Sequence, residues 1–354
     1  MKVLVTGGAG YLGSVLVPKL LARGHQVRVV DLGYYGLGHI RSYRPVVEVV
    51  REDIRQWGTD AGMFDRLLDG CDGVIHLAAI SNDPSAELNP SLTREVNYEA
   101  TCSLAEAAKA RRIKFLFSSS CSVYGQATTD QDIDEDGHLN PITAYAQSKV
   151  DSERFLTQLA DANWAPVILR NGTLFGYSPR MRFDLVINIF SLYSTLHNRI
   201  HIFGHGQQWR PYLHVNDCAR AFVFLAEKRS LAHLVYNVAH ANLRVVDVAE
   251  LFRQMNPALD IVHQDQADPD NRDYRVSSAR LQAEGFHAKI SVELGAEGLV
   301  EAIITGAIPD PESIFYRNAK WMKELTSLGS KKHKDLVGLM ETIASLRPPL
   351  NPGA

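Results

Sequence analysis

Short apolar runs separated by polar or glycine-rich turns recur from the first residues of the chain. Val3-Leu4-Val5 is followed by Thr6-Gly7-Gly8-Ala9-Gly10-Tyr11-Leu12-Gly13, and then by Val15, Leu16, Leu20 and Leu21 at helical spacing. A continuous apolar run predicts a buried strand and the 3.6-residue recurrence predicts a helix, so the opening reads as strand, glycine turn, helix. Gln26–Val30, Val46–Val50, Gly73–Leu77, Ile113–Phe117 and Ala165–Leu169 repeat the strand pattern, with helical patterns between several of them, for example Thr101, Leu104, Ala105 and Ala108. The alternation continues to about residue 170, which predicts an α/β fold with a doubly wound parallel sheet. Beyond it Pro, Gly, His and Arg become denser, and strand-like pieces such as Arg199–Phe203 and Leu234–Val238 mix with helices such as Val245–Gln254.

The glycine turn adds chemistry to this frame. Glycines spaced G-x-x-G-x-x-G allow a tight turn and close approach of backbone to ligand, and the helix beginning near Gly13 aims free N–H groups and its positive dipole end at a pyrophosphate. Such a turn alone also serves as a plain strand-to-helix connection. Asp31, however, ends the second strand 18 residues past Gly13, in the acidic position that holds adenosine ribose hydroxyls. A carboxylate there repels a 2′-phosphate, and Leu32-Gly33-Tyr34-Tyr35 offer no Arg or Lys to receive one, which favours NAD over NADP. The organisation expected is a Rossmann-type NAD-binding domain over residues 1–170 with later strand pieces near 200–240. A smaller, interleaved substrate-binding portion follows over 171–305, and an extension over 306–354 has no assigned role.

Composition narrows the partners. The chain has 354 residues, 45% hydrophobic and 22% charged, and 37 Lys+Arg against 40 Asp+Glu give a net charge of −3. That is ordinary globular composition, long enough for about two substructures. With no long basic run it lacks the electrostatic footprint for duplex nucleic acid or an anionic membrane, so a bound anion needs a few placed cations. Cys71, Cys102, Cys121 and Cys218 are scattered without a C-x-x-C pair, suggesting neither a disulfide framework nor a zinc cluster and fitting a reducing cytoplasm. No stretch approaches 18 apolar residues and the first strand starts at residue 2, so neither a membrane span nor a signal peptide is expected. The 13 histidines show no metal-binding spacing, so no metal is expected. Arg347–Ala354, rich in proline, is expected to be a loose tail.

A catalytic constellation stands at the end of the alternating region. Tyr145-Ala146-Gln147-Ser148-Lys149 places a phenol and an ammonium on one helix face at i and i+4. A free phenol is a poor base at neutral pH, but a nearby ammonium and the positive nicotinamide of NAD both stabilise the phenolate. Just upstream, Phe117-Ser118-Ser119-Ser120-Cys121-Ser122-Val123-Tyr124-Gly125 occupies the carboxyl end of a predicted strand, the edge where open α/β sheets bind ligands. A serine there can polarise a substrate hydroxyl or carbonyl while the tyrosine moves the proton and the nicotinamide the hydride.

These motifs together resemble the extended short-chain dehydrogenase/reductase family, and within it the nucleotide-sugar enzymes typified by UDP-galactose 4-epimerase. The resemblance covers roughly residues 1–300 and rests on TGGAGYLG at 6–13, Asp31, Asp53-Ile54, HLAA at 76–79, Asn97, SSSCSVYG at 118–125, YAQSK at 145–149 and RPYLHVND at 210–217. It implies cofactor contacts from Gly7, Gly10, Tyr11, Leu12, Gly13, Asp31, Asp53, Ile54, Leu77, Ala78 and Ala79, with Asp53 and Ile54 beside the adenine. It implies Tyr145 as the acid/base, Lys149 also on the nicotinamide ribose, and Ser120 as the catalytic hydroxyl, with Ser118 and Ser119 structural and Ser122 a supporting contact. Asn97 would be structural or cofactor-adjacent, or a simple cap. Arg210 matches the family's pyrophosphate arginine, suited by its planar donors, and Asn271-Arg272-Asp273-Tyr274-Arg275 leaves Arg272 and Arg275 both open as a second. Arg182, in Arg180-Met181-Arg182-Phe183, and Thr173, where the family usually has asparagine, are expected near the sugar or phosphate, and His201-Ile202-Phe203 beside the nucleotide base. Helices around 96–110 and from Tyr145 pair into a dimer interface in relatives, so a homodimer is implied.

The reaction class follows from what the strand end lacks. Family dehydratases carry an acidic pair where this chain has Cys121 and Ser122, and the related decarboxylases carry glutamate where Ser122 stands. Elimination needs both an acid and a base, so the expectation is NAD-dependent epimerisation of a nucleotide-diphosphate sugar, at C4 through a transient 4-keto sugar. The alternatives are an NAD(P)-dependent reductase or dehydrogenase of a nucleotide-linked keto sugar, then a 4,6-dehydratase, and last a non-catalytic dinucleotide sensor.

Overall fold

The computed structural model describes residues 1–329 apart from 44, 59–60, 128–130, 267–269 and 271. The tail expected at Arg347–Ala354 and Asn271 of the arginine segment lie outside the described residues. In chain order the strands are β1 (Lys2–Thr6), β2 (Gln26–Val30), β3 (Val47–Val50), β4 (Gly73–His76), β5 (Lys114–Ser120), β6 (Val167–Asn171), β7 (Thr173–Phe175), β8 (Arg199–Phe203), β9 (Trp209–His214), β10 (Val235–Val238), β11 (Ala241–Arg244) and β12 (Asp260–Gln264).

Seven of them form one parallel sheet in the order β10-β6-β5-β4-β1-β2-β3. This is the Rossmann-like doubly wound arrangement expected from the alternating pattern. The side-chain period of two sends Val3 and Val5 into the core on one face and Leu4 into the core on the other. Both faces are therefore covered, as the uninterrupted apolar strands require. The strand order reverses between β1 and β4, and the crevice beyond their carboxyl ends is where such sheets bind ligands.

Two differences from the sequence pattern matter. Of the later strand pieces, Val235–Val238 completes the main sheet beside β6, whereas Arg199–Phe203 pairs with β12 in a separate two-stranded sheet. Their burial explains the split: β10 is buried along most of its length, while β8 alternates buried and open positions and suits a one-sided sheet. Second, the strand expected to stop at Phe117 runs on to Ser120, with Ser118, Ser119 and Ser120 paired to Leu169, Arg170 and Asn171. The three serines therefore belong to the strand and alternate in direction. Among the described residues no helix is long and apolar enough to cross a membrane.

Candidate active site

A cleft of about 1050 Å³ opens along the carboxyl ends of β1, β2, β4 and β5 and extends to β7, β8 and β9. That exceeds the space one small ligand fills. Its floor is the glycine turn. Gly7 has φ +68°, and a Cβ on it would lie 2.7 Å from the Ala78 nitrogen. A Cβ on Gly13 would lie 2.4 Å from the Gly7 carbonyl oxygen, so only glycine lets this turn close against the loop after β4. Asp31 accepts hydrogen bonds from the Ala9 N–H at 3.0 Å and the Gly33 N–H at 2.8 Å while lining the cleft. Gly7, Gly10, Tyr11, Leu12, Gly13, Asp53, Ile54, Leu77, Ala78 and Ala79 line the same cleft. The glycine cradle, the helix start at Gly13 and the carboxylate at Asp31 fit a dinucleotide.

Tyr11 lines the cleft, but its hydroxyl is committed elsewhere. It donates to the Gly176 carbonyl at 2.6 Å and accepts from Asn188, which ties the glycine turn to the second half of the molecule. Asn97 lies in a π-helical turn, Glu95–Glu99. Its amide pairs with both backbone groups of Ile80 and donates to the Ser148 hydroxyl, so it pins the loop after β4 to the helix Ala144–Leu159.

That helix starts at Ala144 because the Thr143 hydroxyl caps it, accepting from the Ala146 N–H at 3.1 Å. Tyr145 in its first turn reaches the cleft, which Ser120 also lines. Burial above all, and then the Asp83 carboxylate, push the phenol up to about 12, against the opposing effect of Ser120, Arg182 and Arg272. Lys149 does not line the cleft. Its ammonium donates to the Ser118 carbonyl at 2.8 Å and lies 4.6 Å from the centre of the Phe117 ring and 5.7 Å from that of Tyr145. Burial lowers Lys149 to about 7.

The Lys149 shift has a measurable sign. Between about 7 and the ordinary value of 10.5 the unfolded chain binds more protons at this lysine than the folded one, so its contribution to stability rises with pH in that window. The stability of the cofactor-free protein minus that of Lys149→Met should climb from pH 7 to 10, by at most about 1.4 kcal/mol per pH unit. A flat difference across paired denaturation curves would rule out a lysine depressed by burial.

Beyond Ser120 the strand end presents no carboxylate. Cys121 is buried with its thiol on the Arg170 carbonyl, and Ser122, expected as a supporting contact, is fully buried and does not line the cleft. Thr173, Arg182, Arg210 and Arg272 all line it. Arg182 is held by Asp184 at 3.0 Å and by the Ser81 carbonyl, and Arg210 by Asp270 at 3.2 Å and the Arg272 carbonyl. Arg272 bridges Asp270 at 2.7 Å and Asp83 at 3.0 Å. Arg275 is not brought to the cleft; it pairs with Asp132 and lies over Trp209. His201, Ile202 and Phe203 of β8 line the far end.

One cleft carboxylate carried no signal in the sequence. Asp83 follows Asn82, whose side chain caps the short helix Asp83–Ala86, so it reads as a routine first-turn acid. Arg180, in the segment already expected near the sugar or phosphate, finds partners at residue 35 and residue 318.

The family model described as NAD dependent epimerase/dehydratase matches residues 3–239. The chain belongs to this family. UDP-glucuronic acid decarboxylase 1 of Arabidopsis thaliana is 27% identical over 315 residues, covering 85% of this chain and 69% of the relative. Among solved structures, the UDP-glucose 4-epimerase of Thermotoga maritima with UDP-glucose has a TM-score of 0.77 at 26% identity, covering 87% of this chain and all of that one. The UDP-glucuronic acid 4-epimerase of Bacillus cereus, in complex with UDP-glucuronic acid and NAD, has a TM-score of 0.73 at 25% identity over 86% of this chain and 99% of that one. Members of this epimerase/dehydratase family depend on NAD, and the glycine cradle with Asp31 is the part of the cleft that suits it.

Proposed function

We propose that this protein is an NAD-dependent epimerase of a nucleoside-diphosphate sugar, acting at C4 through a transient 4-keto sugar. The observation that carries the reading is that Ser120 and Tyr145 line the cleft together, beside a strand end whose next two side chains, Cys121 and Ser122, are buried and carry no carboxyl group. Solved relatives that hold UDP-glucose or UDP-glucuronic acid support the substrate class. Ser120 orients the sugar hydroxyl, Tyr145 takes its proton and later returns it, and Lys149 holds the end of β5 through the Ser118 carbonyl. NAD, when bound, accepts the hydride from the sugar carbon and gives it back. Inversion requires the ketone to present its other face, which a sugar swinging about its diphosphate link achieves while Arg210 and Arg272 hold the link. Asp83 is engaged by Arg272 and the Thr143 hydroxyl, so in this reading it anchors the arginine.

The test is incubation of purified protein with a panel of UDP- and other nucleoside-diphosphate sugars, without added cofactor. The expected result is a mixture of C4 epimers with no net change in NADH. Release of carbon dioxide, loss of water from the sugar, or stoichiometric consumption of NAD(P)H would overturn the proposal. A cytoplasmic homodimer, paired through the helices Ala100–Ala110 and Ala144–Leu159, completes the reading, and light scattering checks the dimer.

A further inference from the structure

The substrate end of the cleft holds a carboxylate that the proton and hydride transfers do not use. Asp83 lines the cleft at the start of the short helix Asp83–Ala86, and its side chain is only 17% exposed. It pairs with Arg272 at 3.0 Å and accepts from the Thr143 hydroxyl. Thr143 caps the helix that carries Tyr145 in its first turn, so the carboxylate is fastened beside the catalytic phenol. Of the charged groups that act on Tyr145, Asp83 is the strongest, ahead of Arg182 and Arg272. Glu87, four residues past Asp83, also lines the cleft and accepts from the Ala144 N–H at 2.8 Å.

The arginines at this end are already engaged. Arg182 is held by both oxygens of Asp184, at 3.0 and 3.1 Å. Arg210 pairs with Asp270 at 3.2 Å, and Arg272 is shared between Asp270 and Asp83. Each of these three guanidinium groups therefore faces a carboxylate before any substrate enters, and a sugar diphosphate brings further negative charge to the same cluster. The C6 substituent of a hexose hangs from the carbon next to C4. With C4 at Tyr145 it lies close to Asp83, and turning the ketone over does not part it from C4. A hydroxymethyl group there can donate a hydrogen bond to the carboxylate. A carboxylate there meets a like charge at a site partly cut off from water, which is strongly disfavoured.

We propose that Asp83 selects the sugar by charge: the cleft takes nucleoside-diphosphate hexoses whose C6 is uncharged and rejects uronic acids, whose C6 is a carboxylate. Asp83 acts by exclusion, as a like charge set against the wrong substrate. It moves no proton in this role. The selection rests on the reading of a nucleotide sugar held with C4 at Tyr145, and not on whether the product is an epimer.

Isothermal titration of the NAD-loaded full chain tests it. The glucose conjugates of UDP, dTDP, CDP and GDP are titrated first, and the one that binds tightest fixes the nucleotide. The free nucleoside diphosphate and its glucose, glucuronic acid and glucuronamide conjugates are then compared in wild type and in Asp83→Asn, which keeps the size of the side chain and removes its charge. The free nucleotide is the reference, because releasing Arg272 alters the grip on the diphosphate in every conjugate alike. In wild type the glucuronic acid conjugate should bind about tenfold or more weakly than the glucose conjugate, with the uncharged glucuronamide within about threefold of glucose. In Asp83→Asn the discrimination against glucuronic acid should shrink by about tenfold. Glucuronic acid bound as tightly as glucose by wild type overturns the proposal. So does a discrimination that the amide shares, which assigns it to shape, or one that persists in folded Asp83→Asn. If Asp83→Asn does not fold, the comparison of acid with amide in wild type decides. Wild-type protein that binds none of the glucose conjugates overturns the nucleotide-sugar reading itself.

Discussion

Tyr145→Phe is expected to lower turnover by about 10²–10⁴-fold while NAD binding stays within the wild-type range. The phenylalanine ring keeps the packing in the first turn of the helix and removes only the hydroxyl. In the proposed mechanism this hydroxyl works in a cofactor-loaded site. Burial drives Tyr145 up to about 12 and Lys149 down to about 7, so each group is pushed towards its neutral form. The sequence suggests that the ammonium one turn away stabilises the phenolate. The chain instead aims that ammonium at the Ser118 carbonyl, and its own charges do not ionise the phenol at neutral pH. Steady-state kinetics on the preferred sugar nucleotide, with retained NAD measured in parallel, checks the prediction. Turnover close to wild type would remove Tyr145 from the acid/base role.

The second large effect is on stability. Glu153→Ala should destabilise the protein by about 3–5 kcal/mol, the cost of stripping one partner from a buried ion pair. Arg170 grips Glu153 at 2.7 Å, and both side chains are only 5% exposed. The Ser119 hydroxyl donates to the same carboxylate, and Arg170 also donates to the Tyr124 hydroxyl and the Glu135 carbonyl. The pair fastens β5 and β6 to the Tyr145 helix, so it also sets the height of Ser120 above the sheet. Replacing both partners, as Glu153→Leu with Arg170→Met, should cost less than Glu153→Ala alone, because no uncompensated charge remains. Chemical denaturation that finds the double variant no better than the single would place the cause outside the pair.

How far the sequence could be read depended on whether a residue's role is set locally. The glycine turn, Asp31 and the apolar strands through residue 169 declare themselves, because a tight turn and two-sided burial each demand particular residues in a row. Ser118, Ser119 and Ser120 do not read as strand, since small polar residues carry no apolar pattern, yet their pairing with β6 aims one serine at Glu153 and the next at the cleft. Arg272 and Arg275 are equivalent on paper; only the fold separates the one that meets Asp83 and Asp270 from the one that turns to Asp132. Asp83 and Asn318 were invisible for a similar reason. Their meaning lies in partners far along the chain, such as Asn318 for Arg180 and Arg272 for Asp83.

The late strand β10 ties synthesis to solubility. It is the outer neighbour of β6, a strand buried at every position, and it arrives 64 residues after β6 ends. Until residue 238 has left the ribosome, the nascent sheet carries a bare apolar edge, the kind of surface that recruits strands from other chains. Cutting the gene just after β6 would therefore yield a fragment prone to aggregate, although Ser120 and Tyr145 would both be present. A strand from the later half of the chain thus shields the sheet built by the earlier half.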